Sequence, residues 1–152
     1  MIPFRSQPQA PRLREGYALL ANSLPSPDEL NRLLLASGDR SRNPDRWQRV
    51  LDNSLWHLGV QSPEGKLVGF VRATSDLALN ANLWDLCADP GDPHQGDILA
   101  VLVHGSLGKL RRELAGWSIS LSAPPEALAA LDRYGFSVDP GGIRAMGLNL
   151  LG

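Results

Sequence analysis

The residues best placed to do chemistry lie where an apolar strand ends and the longest predicted helix begins. The strand ends with Leu86, Cys87 and Ala88, and the chain enters the helix through Gln95, Gly96, Asp97, Ile98, Leu99 and Ala100. At the N-terminus of a helix, free backbone N–H groups and the helix dipole both stabilise a bound anion. We therefore predict a binding site for an anionic ligand over the turn that precedes this helix.

Two side chains near this turn are candidates for a general base. Asp85 lies on the strand, and His94 lies in the polar loop after it. A carboxylate at position 85 could instead bond neighbouring groups of the sheet, and both interpretations stay open, whereas a solvated surface position is favoured for His94. Cys87 has no evident base beside it and is interpreted as a small buried residue. No spacing of His, Cys and Asp in the chain indicates a metal site.

Hydrophobic periodicity predicts a mixed α+β domain around these residues. Two helices open at Ser26-Pro27 and at Asn43-Pro44, where a capping side chain precedes a proline, and two more span residues 97–114 and 125–134. Strands are predicted at residues 17–22, 56–61, 66–74, 82–88 and 117–122, with a closing hairpin of residues 136–138 and 143–150. A strand–helix–strand crossover between the hairpins implies one parallel pair in a mostly antiparallel sheet of six to seven strands.

The composition is that of one globular domain. The chain has 152 residues, of which 43% are hydrophobic and 20% charged, a balance typical of folded proteins. Because 15 Lys and Arg residues offset 16 Asp and Glu residues, no global field would attract nucleic acid or an anionic membrane. No apolar run approaches the roughly 20 residues that a membrane-spanning helix needs.

The single cysteine and the first residues of the chain add two expectations. One cysteine, Cys87, allows no disulfide within the chain and suits a reducing compartment, so we expect a cytoplasmic protein. Residues 1–15 are rich in Pro, Gln and Arg and lack the apolar core of a secretory signal. They are predicted to form a flexible arm ahead of a single domain over residues 16–152.

Tryptophans and arginines away from the turn are interpreted first as structural. Each tryptophan falls in a predicted helix or strand, which favours packing over ligand stacking; they are Trp47, Trp56, Trp84 and Trp117. A basic cluster on the second helix and the loop before it is interpreted as a solvated face, with recognition of an acidic partner as the alternative; it contains Arg40, Arg42, Arg46 and Arg49.

Several short motifs, spaced in one order along the chain, carry a resemblance to a known family. They are Phe70-Val71-Arg72-Ala73-Thr74-Ser75-Asp76, Asn80-Ala81, Trp84-Asp85, Gln95-Gly96, Ile119-Ser120-Leu121, Gly135-Phe136 and Asp139-Pro140-Gly141-Gly142-Ile143. With these motifs the chain resembles the GNAT acyl-CoA-dependent N-acetyltransferases over about residues 17–150. It is most similar to their plant chloroplast and cyanobacterial branch, which includes plant enzymes that acetylate serotonin and protein amines.

The resemblance implies a fold and a cofactor site. The sheet is expected to splay between its fourth and fifth strands, residues 82–88 and 117–122, and to be flanked by about four helices. Acetyl-CoA would place its pantetheine in the splay beside Leu86, Cys87 and Ala88. Its pyrophosphate would lie over the loop that enters the long helix, Gln95 to Ala100.

The chain departs from the phosphate-binding pattern of that family, Gln/Arg-x-x-Gly-x-Gly/Ala. Gln95 and Ala100 fit, but Ile98 replaces the first glycine, which serves there because it lets backbone N–H groups approach phosphate oxygens. Asp97 adds a negative charge where a diphosphate would bind. The loop before it, residues 91–94, is longer and adds Asp92. We therefore expect weakened acetyl-CoA binding.

A second departure concerns the proton that the leaving CoA thiolate needs. Many relatives carry a tyrosine for this role on the helix before Gly135-Phe136, and the corresponding position here is Leu131. Loss of a positioned general acid costs about 10²–10⁴-fold in rate. Tyr134 is the substitute candidate, although packing or capping of the helix end is the favoured interpretation.

Two functions follow from the resemblance. The first is an N-acetyltransferase that moves an acetyl group from acetyl-CoA to a primary amine of a protein or small molecule, with weak or lost activity. The second is a catalytically silent GNAT-fold protein that binds a protein partner, as an assembly factor for a photosynthetic membrane complex. The first predicts a cytosolic cyanobacterial enzyme; the second allows a peripheral location at thylakoids.

Overall fold

A computed structural model describes residues 9–114, 116 and 118–150 of the chain. Its strands are β1 (Ala18–Ala21), β2 (Trp56–Gln61), β3 (Leu67–Ser75), β4 (Asn80–Ala88) and β5 (Ser118–Leu121). Its α-helices are α1 (Pro27–Ala36), α2 (Pro44–Asp52), α3 (Gln95–Glu113) and α4 (Leu128–Arg133), with 3-10 turns at Pro125–Ala127 and Pro140–Gly142. The predicted α+β fold class with four helices is confirmed for the described residues.

Local capping signals determine where the first two helices begin. The Ser26 hydroxyl accepts a hydrogen bond from the Glu29 amide, and the Glu29 carboxylate accepts one from the Ser26 amide, which completes a capping box. At α2 the Asn43 side chain accepts from the Asp45 amide at 2.8 Å. Both starts match the sequence predictions because these signals lie within one turn of chain.

The five strands form one sheet in the order β1-β2-β3-β4-β5. Neighbours from β1 to β4 pair antiparallel, and β4 pairs with β5 in parallel. The connection between the parallel strands is α3, which begins at Gln95, two residues before its predicted start. The crossover predicted for the middle of the chain is therefore confirmed.

The predicted closing hairpin is wrong for the described residues. Residues 136–138 and 143–150 hold no strand, so the sheet has five described strands rather than six to seven. Asp139, Gly141 and Gly142 all have positive φ values of 45°, 65° and 77°, and the chain turns there without pairing. A hairpin alone is marginal in water and needs a sheet to pack on, and alternating apolar residues do not supply that contact by themselves.

Helices cover both faces of the sheet. On one face α1 and α2 bury Leu30, Leu33, Leu34 and Trp47 against Leu67, Phe70 and Cys87 of the sheet. On the other face α3 and α4 enclose a larger apolar cluster with β2, β3 and β4. Between these layers, at one end of the sheet, β4 and β5 separate.

The described part of the predicted arm, residues 9–15, contacts the domain. Leu13 packs against the larger apolar cluster, and the Arg133 guanidinium donates to the Gln9 carbonyl at 3.1 Å. Residues 1–8 of the predicted arm lie outside the described residues. Among the helices described, none combines the length and the apolar character needed to cross a bilayer.

Candidate functional site

A cleft opens where the parallel strands separate. Pairing between β4 and β5 ends at Leu83 and Leu121, while β4 continues to Ala88. Over those last residues β4 has no partner strand on that side in the described part of the chain. The space is about 640 Å³, and its walls are the end of β4, the residues after β5, the start of α3 and the end of α1. The family resemblance implies a splay between β4 and β5, and the cleft lies at that place.

A β-bulge in β4 lies at the start of the cleft. Phe70 pairs with Cys87 and Arg72 pairs with Trp84, so Asp85 and Leu86 both lie opposite Val71. Asp85 has a φ of 57°, a left-handed conformation that costs about 1–3 kcal/mol outside glycine. Aspartate tolerates it better than most residues. The bulge bends β4 at the point where it leaves β5.

The Asp85 carboxylate is buried between two arginines. Its Oδ2 accepts from Arg72 Nε at 2.7 Å, and its Oδ1 accepts from Arg42 Nη2 at 3.2 Å. The carboxyl side chain is 8% exposed, against 17% for Arg72 and 34% for Arg42. Both oxygens of the predicted base are therefore engaged in ion pairs that join the bulge to β3 and to the loop between α1 and α2.

Side chains of α1 and α2 surround Arg42. The side-chain Oδ1 of Asn31 accepts from the Arg42 backbone amide and from Trp47 Nε1, both at 2.8 Å. Arg42 also lies over the Trp47 ring, 5.0 Å from its centroid. These contacts connect α1, α2 and the sheet through a single carboxylate.

Trp84 differs in exposure from the other two described tryptophans. Trp47 and Trp56 are 0% and 4% exposed, but Trp84 is 43% exposed and lines the cleft. Arg72 lies 5.6 Å from its ring centroid, and its indole N–H donates to Thr74 at 2.7 Å. The location of Trp84 in a strand did not predict its exposure, because alternate residues of a strand face opposite sides of the sheet. Trp117 lies outside the described residues.

The three residues predicted to flank pantetheine all line the cleft: Leu86, Cys87 and Ala88. Burial raises the pKa of the Cys87 thiol to about 12. The thiol is therefore protonated at neutral pH and has no nucleophilic character there. Its surroundings agree with the interpretation of Cys87 as a packing residue.

The predicted phosphate-binding residues form the first turns of α3. Gln95 and Leu99 line the cleft, and Gln95 Nε2 donates to the Ala88 carbonyl at 3.3 Å. The Ile98 amide already bonds the His94 carbonyl at 3.0 Å. No acceptor among the described residues bonds the Gly96 and Asp97 amides, which leaves both N–H groups open to a ligand.

The Ile98 side chain points into the core rather than toward the cleft. It is fully buried, with 0% exposure, and it covers Gly69 of β3 so closely that a Cβ at Gly69 would lie 2.5 Å from Ile98 Cγ2. Ala100, which fits the family pattern, is also buried. The Ile98 side chain is therefore not part of the described lining of the cleft.

The start of α3 and the loop before it carry negative charge. The Asp97 carboxylate is 48% exposed and lies 3.6 Å from Arg14 Nε. Asp92 accepts from the Tyr17 hydroxyl at 3.0 Å and from the His94 amide at 2.8 Å. Two carboxylates thus lie near the predicted diphosphate position, with Arg14 as a nearby cation.

The loop between β4 and α3 is fixed at its first residue. Asp89 is 7% exposed, and its carboxylate lies 3.0 Å from Lys66 Nζ and accepts from the Gly91 amide at 2.8 Å. Burial alone would raise the pKa of Asp89, but the Lys66 and Gly91 contacts outweigh it and lower the pKa. This anchor sets the position from which the loop reaches α3.

The remaining predicted residues lie apart from the cleft. Tyr134, the substitute acid, is not among the described residues of the lining; its ring lies 5.6 Å from that of His104, and its hydroxyl is buried without a bonding partner. Leu131 is 3% exposed within the larger apolar cluster. His94 packs edge-on against Tyr17 with ring centroids 5.7 Å apart.

Sequence reasoning missed several cleft residues. Ser37, Gly38 and Asp39 at the end of α1, and Glu126 in the turn before α4, line the space opposite β4. Nothing local marks them, because only the packing of α1 on the sheet brings them to the cleft. No local pattern predicts that Arg42 pairs with Asp85, because the two residues are 43 positions apart in the chain.

The chain is similar in sequence to plant and algal acetyltransferases. It is 38% identical over 95 residues to an Arabidopsis thaliana protein described as "GCN5-related N-acetyltransferase 2, chloroplastic", covering 62% of this chain and 36% of that protein. It is 30% identical over 128 residues to the "Uncharacterized N-acetyltransferase ycf52" of Gracilaria tenuistipitata, covering 82% of this chain and 69% of that protein. The chain thus spans little more than a third of the chloroplast relative. No protein-family profile matches it.

Solved structures show the same fold. A probable acetyltransferase of Staphylococcus aureus superposes with a TM-score of 0.76 at 14% identity, covering 88% of this chain and all (100%) of that one. A GNAT-family N-acetyltransferase of Escherichia coli, solved in complex with CoA, superposes with a TM-score of 0.61 at 20% identity, covering 82% of this chain and 71% of that one.

Proposed function

This chain belongs to the GNAT N-acetyltransferases, in the branch of the plant chloroplast and ycf52 proteins, and from that membership we propose that it transfers an acetyl group from acetyl-CoA to a primary amine. The acceptor is an amine of a protein or a small molecule. The observation that carries the proposal is the cleft between β4 and β5, which has an unpaired strand edge along one wall. The complex of the Escherichia coli relative with CoA supports the choice of cofactor.

The cleft and the first turn of α3 beside it offer two kinds of contact to acetyl-CoA. The free edge of β4 at Leu86, Cys87 and Ala88 would bond the amide groups of the pantetheine arm, as an added strand does. The open Gly96 and Asp97 amides would bond the pyrophosphate at the start of α3. The Asp97 carboxylate opposes that second contact, and so we expect binding that is weak but specific to this cleft.

In the proposed reaction a neutral amine nitrogen attacks the thioester carbonyl, the C–S bond breaks and the thiolate leaves. Approximation of the two reactants and polarisation of the carbonyl by β4 backbone groups would supply most of the acceleration. The described lining of the cleft holds no tyrosine, histidine or lysine to protonate the thiolate. We therefore propose turnover about 10²–10⁴-fold below that of an enzyme with a positioned acid.

We propose that Asp85 positions the site rather than acting as its base. Each of its oxygens is paired with a guanidinium, and the pairs hold the bulge in the orientation that presents Leu86 and Cys87 to the cleft. The amine would then lose its proton to water.

Binding of acetyl-CoA should raise the melting temperature of the protein. Ligand at 100 times its Kd adds about 2.7 kcal/mol to the free energy of unfolding. Ser122 is an exposed residue of the lining, and we expect Ser122→Trp to fill the cleft and abolish the shift. Ser118→Trp, exposed on β5 outside the lining, is the matched control and should keep it. No shift at millimolar acetyl-CoA in the wild type would reject the proposal.

The catalytically silent alternative is supported by Leu131, which is buried in the core at the position where the family resemblance implies a tyrosine. An assay of CoA thiol release distinguishes the silent protein from the transferase. It is run with acetyl-CoA and an amine such as polylysine or tryptamine. Binding without release above the Ser122→Trp background would favour the silent protein. Release that the same variant loses would favour the transferase.

Removing the charge of Asp97 should tighten acetyl-CoA binding. An exposed carboxylate near a diphosphate repels it by about 1 kcal/mol at effective dielectric constants near that of water, so Asp97→Asn is expected to lower Kd about fivefold. The difference should shrink at high salt, because exposed charges are screened. Calorimetric titration measures both. Asp45→Asn, which changes the same charge in the first turn of α2, should leave Kd unchanged, and an equal effect of the two variants would contradict the assignment.

A further inference from the structure

An arginine that precedes β1 lies beside the first turn of α3. The Arg14 Nε atom is 3.6 Å from the Asp97 carboxylate, and the two side chains are 66% and 48% exposed. At this distance the contact is an ion pair but not a hydrogen bond, and no acceptor among the described residues bonds the guanidinium. The N–H donors of Arg14 therefore face solvent near the start of α3, where the Gly96 and Asp97 amides are also open.

A tight turn fixes the backbone at Arg14. We refer to residues 9–17 as the arm segment. The Tyr17 amide donates to the Arg14 carbonyl at 3.1 Å, which closes a β-turn, and Gly16 within the turn has a φ of 86°. A Cβ at Gly16 would lie 2.9 Å from Pro63 Cγ, so the turn packs directly on the connection between β2 and β3. Position 16 therefore requires glycine for both its conformation and its close contact.

Contacts on both sides of Arg14 attach the arm segment to the domain. After the turn, the Tyr17 hydroxyl donates to the Asp92 carboxylate at 3.0 Å, and the Tyr17 ring packs edge-on against His94. Before the turn, Leu13 packs against the larger apolar cluster. Arg14 thus lies between two anchored residues, which reduces the conformational entropy that it would lose on binding a ligand.

The start of α3 carries more negative than positive charge. Asp97 and Asp92 both repel a diphosphate, and in the described ion pairs Arg14 is the cation that reaches the first turn of α3. Lys66 is already paired with the buried Asp89 at 3.0 Å. A guanidinium presents paired N–H donors that match phosphate oxygens. Because an exposed ion pair contributes little to stability, Arg14 can exchange Asp97 for a diphosphate at small cost.

We propose that Arg14 binds the diphosphate of acetyl-CoA, and that it exchanges its contact with Asp97 for this group when the cofactor binds. The inference rests on the proposed use of acetyl-CoA. The arm segment is then a part of the cofactor site that lies outside the family pattern at residues 95–100. Its guanidinium partly offsets the repulsion that the Asp97 carboxylate exerts on the diphosphate, and bound cofactor holds the arm segment against α3.

Calorimetric titration with acetyl-CoA tests the contact. Arg14→Gln removes the guanidinium, and we expect it to raise Kd about tenfold, as for a hydrogen bond to a charged group. The melting temperature of the free protein should stay the same, because the pair with Asp97 is exposed. Arg49→Gln, which makes the same change of charge on α2, is the matched control and should leave Kd unchanged.

The titration distinguishes failure of this proposal from failure of the proposed function. A wild type that does not bind acetyl-CoA at millimolar concentration would overturn both. A wild type that binds, with the same Kd for Arg14→Gln, would overturn the role of Arg14 alone.

A double substitution separates binding of the diphosphate from mere neutralisation of Asp97. If Arg14 only neutralised the Asp97 carboxylate, Arg14→Gln would have no effect on Kd in the Asp97→Asn background. Direct binding predicts a rise in Kd of about tenfold or more in that background, because Asp97 no longer competes for the guanidinium. Disappearance of the effect would contradict direct binding.

Acetyl-dephospho-CoA identifies the phosphate that Arg14 contacts, because this probe keeps the diphosphate and lacks the phosphate on the ribose. We expect Arg14→Gln to raise Kd for this probe by the same factor as for acetyl-CoA. If the effect is lost with the probe, Arg14 binds the ribose phosphate and the proposal is wrong.

Discussion

Replacing Asp85 with asparagine is expected to lower the free energy of unfolding by about 3 kcal/mol, because it removes a buried carboxylate that is shared by two partly buried guanidinium groups. Arg72 and Arg42 lie 2.7 and 3.2 Å from its oxygens, and the carboxyl side chain is 8% exposed. Asparagine has nearly the same shape and accepts the left-handed φ of 57°. The substitution therefore changes the charge and little else, and urea denaturation measures its effect.

Asp39→Asn is the matched control for Asp85→Asn. The Asp39 carboxylate pairs with the same Arg42, at 3.4 Å, but is 48% exposed. Exposed ion pairs contribute only about 0–1 kcal/mol, so this variant should stay within that range. Equal losses for the two variants would show that the ion pairs of Asp85 are no more important than a surface contact.

The same variant separates a positioning role from a basic one. If Asp85 only positions the bulge and the arginines, Asp85→Asn should raise the KM for the amine and leave the shape of the pH–rate profile unchanged. If Asp85 takes the proton of the amine, the acidic limb of the profile should disappear and kcat should fall by about 10²-fold or more. Measurements are made below the melting temperature of the variant, so that loss of folding does not enter the rates.

The parts of the fold that the sequence predicted correctly are those that depend on neighbouring residues. The caps at Ser26 and Asn43 use bonds within one turn, and the limits of β2 were predicted to the residue. The splay between β4 and β5 was implied by the family resemblance, since no local pattern shows where two parallel strands separate. Local sequence patterns did not predict the features that depend on contacts between distant segments.

The bulge at Asp85 illustrates this limit. Its position depends on the register between β3 and β4, and its cost is offset by Arg42, which is distant in sequence. The closing hairpin was predicted wrongly for the same reason. Residues 143–150 have the alternation of a strand, but alternation does not specify which strand, if any, they will pair with. Ile98 is a third case, because only the structure shows that its side chain covers Gly69.

Restoring the family glycine at position 98 is expected to lower the free energy of unfolding by about 4 kcal/mol. Ile98 is fully buried, so its removal leaves a cavity over Gly69, for which losses of about 2–5 kcal/mol are typical. Glycine within a helix adds about 1 kcal/mol. Ala100→Gly in the same turn of α3 is the control, because it has the same helix cost and loses only one methyl group, and thermal and urea denaturation compare the two.

The contact between Ile98 and Gly69 should also appear as a coupling. Gly69→Ala alone forces a Cβ to within 2.5 Å of Ile98 Cγ2, while Ile98→Ala alone empties that space. Together the two changes should cost at least 1 kcal/mol less than the sum of the single losses. Recovery will be partial, because the added Cβ also lies 3.1 Å from Leu102 Cδ1 and 3.3 Å from Val60 Cβ.

Binding measurements on Ile98→Gly then decide which departure weakens the phosphate site. Because the Ile98 side chain faces Gly69 and not the cleft, we expect the folded variant to bind acetyl-CoA as the wild type does, while Asp97→Asn binds it more tightly. A tenfold or greater gain for Ile98→Gly would mean that the backbone at position 98 must approach the diphosphate more closely than a Cβ allows. In that case sterics, rather than the charge of Asp97, would limit the affinity of this chain for its cofactor.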